Sequence, residues 1–354
     1  MKYKLLGKSG LRVSELCLGA MTFGEDWGSF LKGASKEESK KIFDLFVQAG
    51  GNFIDTANVY QNGTSEKYVG EFIAPERDKF VLATKYTLTT NPNDPNAGGN
   101  HRKNLFQSVN ASLKRLNTEY IDLLWVHIWD FMTPIEEVMR SLDDLIRSGK
   151  VLYIGISDAP AWIVSRANTI SELRGWSSFI GLQIMYSLIE RTAERELLSM
   201  AHSLDIGVTA WSPLGMGVLS GKYSKDNNEP KRFDPNHPMI STFVNERNIS
   251  IAKEVQTIAN EIKKTPSQVA LNWIINQKRK GEVIIPIIGV RTQAQIIDNL
   301  GCLEFELDTE HIKRLNEKSK IELGFPYDFI SSDVIRNQIY GNLYSSIEYH
   351  RLNL

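Results

Sequence analysis

The sequence contains few cysteines, and this scarcity excludes two classes of protein. Cys17 and Cys302 are the only two cysteines among 354 residues. A small disulfide-stabilised scaffold and a thiolate zinc cluster both require more than that. A reducing compartment fits this cysteine content best, and we expect a cytoplasmic protein.

Long apolar runs and a strong net charge are also missing. The longest apolar stretches, such as residues 283–290, fall well short of the roughly 18 residues that cross a bilayer. Charged side chains interrupt the apolar positions of residues 1–20, which is unlike a secretory signal. Lys and Arg total 41, Asp and Glu total 42, and the formal net charge is -1. Such a charge has no general attraction for nucleic acid or membrane, so we expect neither as a partner.

The glycine fingerprint of an open dinucleotide-binding sheet is absent, because no G-x-G-x-x-G follows an early strand. Instead, short apolar runs alternate with longer helical patterns along the whole chain. Eight such units favour an α/β protein with one closed (β/α)8 TIM barrel, a single domain over residues 1–354. The predicted strands are 15–20, 53–57, 80–85, 121–127, 151–157, 180–184, 207–212 and 283–289.

Helical patterns follow several of these strands. Ser35 and the glutamate three positions later have the spacing of a capping box, and Gly50 follows the last apolar turn of the same helix. The predicted helices are 36–49, 105–116, 134–148, 161–173 and 195–203. The other segments are predicted to be an N-terminal hairpin over 1–13, a long loop after the seventh strand over 222–238, and a C-terminal tail packed on the outside over 330–354.

Polar side chains stand at the ends of three consecutive predicted strands. In an α/β barrel the C-terminal ends of all strands open on one mouth, where side chains from distant parts of the chain meet. Asp55 ends the second strand and Tyr60 follows it, while Lys85 and His127 end the third and fourth. We therefore expect a carboxylate, a phenol, an ammonium and an imidazole at one mouth. The alternative is a buried ion pair beside an ordinary core histidine.

The segments around these four residues, FIDTANVYQNGTSE, VLATK and DLLWVHIWD, resemble the catalytic tetrad of the aldo-keto reductases. The stretches LGAMTFG (18–24) and WSPLG (211–215) are specific to the same family, and the resemblance runs from about Leu5 to about Phe305. GISDAPAW (155–162) and GLQ (181–183) look like its aryl-alcohol dehydrogenase branch. The resemblance implies an oxidoreductase that reduces a small carbonyl compound with a nicotinamide cofactor.

Carbonyl reduction assigns a role to each member of the tetrad. A hydride must reach the carbon and a proton the oxygen, and a free tyrosine, with a pKa of about 10, is a poor acid at neutral pH. We expect the Lys85 ammonium to lower the pKa of Tyr60, the general acid, while Asp55 keeps Lys85 charged. His127 would orient the carbonyl oxygen or relay the proton.

A cofactor must supply the hydride, because no protein side chain donates one readily. By resemblance, Trp211 stacks on the nicotinamide, and Ser157 and Gln183 bind its carboxamide. The residues that line the nicotinamide side by the same resemblance are Gly19, Ala20 and Met21. Asp158 stands where most family members have asparagine, and an ionised carboxylate accepts hydrogen bonds without donating any. The cofactor-binding residues implied by the resemblance are Gly19, Ala20, Met21, Asp55, Ser157, Asp158, Gln183, Trp211, Ser212, Pro213, Leu214, Gly215, Gly217, Lys222, Arg232, Gly289, Arg291, Gln295, Asp298 and Asn299.

The basic residues in this set favour NADPH (NADP+) over NADH. Arg291 offers a guanidinium fork for a 2′-phosphate, with Lys222 and Arg232 as helpers on the long loop. Aromatic side chains near the mouth suit aryl or otherwise apolar carbonyls. The predicted substrate pocket comprises Trp27, Tyr86, His127 and Trp129.

Three other functions compete with this interpretation. A barrel lyase could form a Schiff base at Lys85, but it would leave Trp211 and Gln183 without a purpose. A non-catalytic regulatory barrel could bind NADPH without turnover, as ion-channel β subunits of this family do, although those subunits differ at His127. A metal-dependent hydrolase needs closely spaced histidines, and the six histidines here include no H-x-H pair, so no metal is expected.

Overall fold

The barrel predicted from the sequence is confirmed. The computed structural model describes residues 1–28, 32–221, 242–277 and 283–348. The strands are β1 Tyr3–Leu5, β2 Arg12–Ser14, β3 Cys17–Gly19, β4 Phe53–Asp55, β5 Val81–Tyr86, β6 Ile121–Val126, β7 Val151–Ser157, β8 Gly181–Met185, β9 Gly207–Trp211 and β10 Ile284–Gly289. Eight parallel strands close in the order β10-β3-β4-β5-β6-β7-β8-β9, and β1 and β2 form a separate antiparallel hairpin.

Helices cover the outside of the barrel. All five predicted helices are present, and the described residues of the long interval between β9 and β10 contain two more helices that were not predicted. The helices in the described residues are α1 Lys36–Gln48, α2 Thr64–Ile73, α3 Arg102–Leu116, α4 Ile135–Arg147, α5 Ala161–Arg174, α6 Leu197–Ser203, α7 Glu246–Glu261, α8 Pro266–Ile275, α9 Gln293–Leu300, α10 Thr309–Lys318, α11 Tyr327–Ile330 and α12 Asp333–Tyr340.

The start of α1 is capped from one side only. Ser35 accepts a hydrogen bond from the backbone N–H of Glu38, as expected for an N-cap. The Glu38 carboxylate does not complete the capping box, because it accepts hydrogen bonds from the backbone and side chain of Gln293 at the start of α9. Gly50 follows the helix with a φ of 88°, in the predicted left-handed conformation.

The interior of the barrel is packed with apolar side chains beneath the mouth. Leu6 and Val13, from the hairpin region, belong to the same buried cluster as interior side chains of the barrel strands. The Trp125 indole lies against Gly155 and Gly181, where a Cβ atom on Gly155 would lie 2.3 Å from the ring. The two glycines thus make room for a large ring inside the barrel.

The C-terminal tail differs from the packed segment that the sequence analysis predicted. Helices α11 and α12 contain no buried residue, and large apolar side chains of the tail's described part, such as Val334 and Leu343, are exposed. The predicted loop over 222–238 lies outside the described residues, as do Lys222 and Arg232. None of the helices in the described part of the chain is both long and apolar enough to cross a membrane.

Candidate active site

A buried ion pair lies at the mouth, where β4 and β5 end. The Lys85 ammonium is fully buried and donates hydrogen bonds to the Asp55 carboxylate and, at 2.7 Å, to the Thr56 carbonyl oxygen. The second Asp55 oxygen accepts a hydrogen bond of 3.1 Å from Gln183 on β8. Burial by itself lowers the pKa of Lys85, but Asp55 and Tyr60 raise it above its usual value. Lys85 is therefore a cation at neutral pH.

Tyr60 lies beside this cation on the loop that follows β4. The Lys85 Nζ atom is 4.8 Å from the centroid of the Tyr60 ring. Burial raises the pKa of Tyr60, and the charge of Lys85 opposes that rise. Lys85 thus acts in the expected direction, yet the overall pKa of Tyr60 in the free protein is raised because desolvation of the phenolate is the larger effect. The hydroxyl accordingly keeps its proton at neutral pH.

His127 lies on another side of the Tyr60 ring. The two rings make an edge contact, with their centroids 5.8 Å apart and an angle of 80° between their planes. Burial and the charge of Lys85 hold the pKa of His127 well below its usual value, so the imidazole is neutral at pH 7. Its Nδ1 atom is buried and has no hydrogen-bond partner within the described part of the chain. The four residues predicted from strand ends thus lie together at one mouth.

The ends of β7, β8 and β9 form the neighbouring wall of the mouth. Ser157 is paired in register with Gln183, and the backbone N–H of Asp158 donates to the Gln183 carbonyl oxygen. The Trp211 indole N–H donates a hydrogen bond of 3.1 Å to the Asp158 carboxylate. Asp158 has a φ of 44°, in the left-handed region that aspartate and asparagine enter more readily than most residues. Asp158 therefore fixes the indole of Trp211 at the rim.

The chain after β9 forms a tight left-handed turn. Ser212, Gly215, Met216 and Gly217 all have positive φ values between 52° and 95°. The Ser212 hydroxyl accepts the backbone N–H of Met216, and a Cβ atom on Gly215 would lie 2.3 Å from the side chain of Ile189. Backbone turns of this type form concavities that bind anions. In this turn the backbone N–H groups of Gly215, Met216 and Gly217 donate to Ser212 and Leu214, so the assignment of the pyrophosphate to Ser212, Pro213, Leu214, Gly215 and Gly217 stays a prediction.

The segment after β10 contains a half-buried cation. Burial lowers the pKa of Arg291, and no acidic side chain among the described residues forms an ion pair with it. Its backbone N–H donates to the Gln295 side chain at 2.9 Å. Two other residues predicted to contact the cofactor interact with the protein itself. Asp298 accepts hydrogen bonds from Thr265 and Gln268, and Asn299 is buried.

Comparison with known proteins identifies the family of this chain. The sequence model described as the Aldo/keto reductase family matches residues 15–320. The chain belongs to the aldo/keto reductase family. It is 36% identical over 334 residues to a norsolorinic acid reductase of Aspergillus flavus, covering 92% of this chain and 83% of that protein. It is also 37% identical over 336 residues to an aryl-alcohol dehydrogenase of Pestalotiopsis microspora, covering 93% and 85%.

These relatives support the aryl-alcohol dehydrogenase-like branch that the sequence resembled. A norsolorinic acid reductase of Emericella nidulans is 38% identical over 329 residues, with 91% of this chain and 82% of that protein covered. As a member of this family, the chain is an oxidoreductase of a group that uses a nicotinamide cofactor and acts on small carbonyl compounds.

The predicted substrate residues of this aldo/keto reductase fall into two groups. Trp27 contacts Tyr60 edge to face, with ring centroids 6.1 Å apart. Tyr86 and Trp129 are 0% and 5% exposed and belong to the core between strands and helices. Successive side chains of a strand point to opposite faces, so an inward Lys85 places Tyr86 outward. Tyr86 and Trp129 present no open surface to a substrate, and the pocket proposed below excludes them.

The structure also brings to the mouth polar residues that the sequence analysis did not single out. The Ser65 hydroxyl lies 2.8 Å from that of Thr56 and donates to the Ala20 carbonyl oxygen at 2.7 Å. The Gln61 side chain is fully buried against residues 21–27. The approach of these two loops is a tertiary contact over about forty residues, and no local pattern in the sequence indicates it.

Proposed function

We propose that this aldo/keto reductase is an NADPH-dependent enzyme that reduces aldehydes and ketones to alcohols, with Tyr60 as the proton donor. The observation that carries the proposal is the position of the Tyr60 ring against the buried Lys85–Asp55 pair, with His127 in edge contact. A single barrel domain that works in the cytoplasm is part of the same proposal.

The residues around the mouth fit a nicotinamide dinucleotide. The reduced nicotinamide supplies the hydride when it is bound. Trp211, fixed by Asp158, offers an indole face for the ring, and the glycine-containing turn over 212–217 is the proposed place of the pyrophosphate. Arg291 has no acidic partner among the described residues, and a guanidinium in that state suits the 2′-phosphate of NADPH. We propose Lys222 and Arg232 as its helpers.

Proton transfer is assigned to the groups beside Lys85. The raised pKa of Tyr60 keeps its hydroxyl protonated at neutral pH, so the proton is present when the carbonyl oxygen becomes negative. After Tyr60 releases that proton, the Lys85 ammonium stabilises the phenolate, and Asp55 holds the ammonium in its charged form. The neutral imidazole of His127 has one N–H to donate to the carbonyl oxygen.

The state of Lys85 speaks against a Schiff-base lyase. A lysine attacks a carbonyl only as the neutral amine. Here the pKa of Lys85 is raised, and its ammonium donates hydrogen bonds to Asp55 and Thr56. The regulatory barrel, which binds cofactor without turnover, is distinguished by kinetics.

Replacing Tyr60 by phenylalanine tests the proposal, because it removes one oxygen. We expect kcat for benzaldehyde reduction, followed by NADPH absorbance, to fall about 10²- to 10⁴-fold. The Kd of NADPH, measured by tryptophan fluorescence, should change little and should be lower than that of NADH. The matched control is Tyr120→Phe, which removes an exposed hydroxyl bonded to Asp78 just before β6, at the opposite end of the barrel.

Two results would contradict the proposal. Wild-type protein that binds NADPH but turns over no compound in a panel of aryl aldehydes, aliphatic aldehydes and aldoses would be a regulatory barrel. A Tyr60→Phe variant with unchanged kcat would remove Tyr60 from the role of proton donor. Faster reduction of aldoses than of aryl aldehydes would leave the reductase proposal standing but would overturn an apolar pocket bounded by Trp27 and His127.

A further inference from the structure

A buried glutamine directly after Tyr60 connects two loops of the mouth. The Gln61 side chain is fully buried. Its amide nitrogen donates to the Met21 carbonyl oxygen at 3.2 Å, and its amide oxygen accepts the backbone N–H of Trp27 at 3.0 Å. These contacts define the orientation of the amide, since a carbonyl oxygen needs a donor and an N–H needs an acceptor. One side chain therefore holds both ends of the segment 21–27.

The stem of the same side chain packs on the middle of that segment. Gly24 has a φ of 124°, and a Cβ atom there would lie 2.8 Å from the Gln61 Cβ atom. The backbone of the segment approaches Gln61 at a distance that a larger residue at position 24 would prevent. The contact is thus made along the length of the glutamine and at its amide.

The backbone of Gln61 is in an unfavourable conformation. Gln61 has φ 48° and ψ 44°, and Asn62 has φ 53° and ψ 30°, both in the left-handed region. Non-glycine residues persist in this region where surrounding contacts impose it, and such residues cluster at functional sites. Asn62 is exposed, whereas both polar atoms of the Gln61 amide are hydrogen-bonded. The strained turn therefore places Gln61 in contact with residues 21–27.

The segment that Gln61 holds contributes to both proposed binding sites. Met21 belongs to the proposed nicotinamide contacts, and the Trp27 ring lies against the Tyr60 ring at an interplanar angle of 84°. Gln61 is covalently adjacent to Tyr60, so its two hydrogen bonds relate the position of the Trp27 ring to that of the phenol. The outer wall of the pocket and the proton donor are thereby fixed relative to each other.

We propose that Gln61 is a positioning residue that sets the place of Trp27 over Tyr60 and so favours planar aryl aldehydes and ketones. The proposal rests on the reductase function proposed above. It assigns Gln61 no contact with substrate, since the side chain is buried behind the segment and acts through Trp27.

Hydrogen–deuterium exchange of the cofactor-free protein tests the positioning without any assay of activity. In Gln61→Gly the backbone N–H of Trp27 loses its acceptor, and we expect exchange in the peptide over residues 20–28 to become at least tenfold faster. The matched control is Asn62→Gly, which relaxes the adjacent left-handed residue and leaves the glutamine in place. Unchanged exchange in Gln61→Gly would overturn the proposal even if the protein proves to be no reductase.

A double-mutant cycle with Trp27→Ala tests the route through Trp27. We expect Gln61→Gly to raise KM for benzaldehyde about tenfold and KM for propanal less than threefold, with kcat changed less than KM. In the Trp27→Ala background the same change should raise KM for benzaldehyde less than twofold, because the ring that Gln61 positions is already missing. Equal effects of Gln61→Gly in both backgrounds, or equal losses for both aldehydes, would refute the assignment.

The test does not depend on the folding of the Gln61→Gly variant alone. Should Gln61→Gly fail to fold, Gln61→Met keeps the stem on Gly24 and removes both hydrogen bonds, and the same exchange and KM results are expected. A wild-type protein without turnover would refute the reductase proposal, while the exchange experiment would still report on Gln61.

Discussion

This aldo/keto reductase contains two neighbouring ion pairs, each with a buried carboxylate, and the two pairs contact different groups. Asp55 pairs with Lys85 at the mouth, whereas Glu66 accepts hydrogen bonds of 2.6 Å from both Arg115 and the Thr84 hydroxyl. The Lys85 side chain has no exposed surface, while 23% of the Arg115 side chain is exposed. Lys85 contacts the ring of a titratable phenol, and Arg115 lies where α2 meets α3.

The comparison shows which groups each of the two ion pairs can affect. Thr84 and Lys85 are adjacent on β5, and the alternation of the strand sends Lys85 to the mouth and Thr84 to the helix layer. Both pairs remove charge from water, and the difference lies in what else the cation reaches. Lys85 adjusts the protonation of Tyr60 and His127, whereas the Glu66 pair holds α2 and α3 together.

Replacing Lys85 by methionine should give the largest effect. The variant removes the cation proposed to stabilise the Tyr60 phenolate, and we expect kcat for benzaldehyde to fall about 10²- to 10⁴-fold. It also leaves the Asp55 carboxylate buried without its cation, which destabilises the fold. Steady-state kinetics with NADPH absorbance measures the first effect, and thermal unfolding measures the second.

The double variant Asp55→Asn with Lys85→Met separates these two effects. It removes both charges, so we expect most of the lost stability to return while kcat stays low. Recovery of kcat together with stability would mean that the Asp55–Lys85 pair is structural, like the Glu66 pair.

The sequence predicted the strands and the tetrad because each has a local signal. Buried parallel strands are continuous apolar runs, and all eight were located to within two residues at each end. Asp55, Lys85 and His127 interrupt or end such runs, and a barrel brings all strand ends to one mouth. The helix over 266–275 has a local signal as well, since Thr265 and Gln268 form a complete capping box at its start.

The remaining features depend on orientation and on contacts between distant segments. Tyr86 was assigned to the pocket by its position in sequence, although strand alternation places it opposite Lys85. Gln61 looks like an ordinary loop residue until the segment 21–27 is folded against it. The upward shift of the Tyr60 pKa follows from burial, which no motif measures. Sequence thus identified the chemical groups, and the fold determined their environments.

Replacing Glu66 by glutamine tests the structural member of the comparison. Breaking a buried pair by changing one partner costs about 3 kcal/mol or more of unfolding free energy, and we expect a loss near the lower value because Arg115 keeps some contact with water. We expect kcat to change only a few-fold, since the Tyr60 and Lys85 groups are untouched. Denaturant unfolding measures the free energy of unfolding, and steady-state kinetics measures kcat.

The matched control for Glu66→Gln is Glu71→Gln, on the same helix. Glu71 pairs with Lys36 at 2.6 Å on the surface, and an exposed pair contributes less than about 1 kcal/mol. A hundredfold loss of kcat in Glu66→Gln with unchanged stability would assign this pair to the reaction instead.

The smallest expected effect is on the pH at which His127 takes up a proton. This measurement compares Lys85 directly with the Arg115–Glu66 pair. Burial and the charge of Lys85 both keep the imidazole neutral, so in the wild type the imidazolium forms only well below the usual pH. Removing the Lys85 charge leaves burial as the remaining cause. We therefore expect His127 to take up its proton at a higher pH in Lys85→Met, and at an unchanged pH in Glu66→Gln.

Nuclear magnetic resonance of the histidine ring protons measures this difference, with His127→Gln identifying the signal. The double variant Asp55→Asn with Lys85→Met should show the same upward shift, because the charge that opposes protonation of His127 belongs to Lys85. Equal titration of His127 in the wild type and in Lys85→Met would mean that burial alone keeps the imidazole neutral. Lys85 would then affect Tyr60 and not His127, and the neutral state of the His127 imidazole would result from its burial.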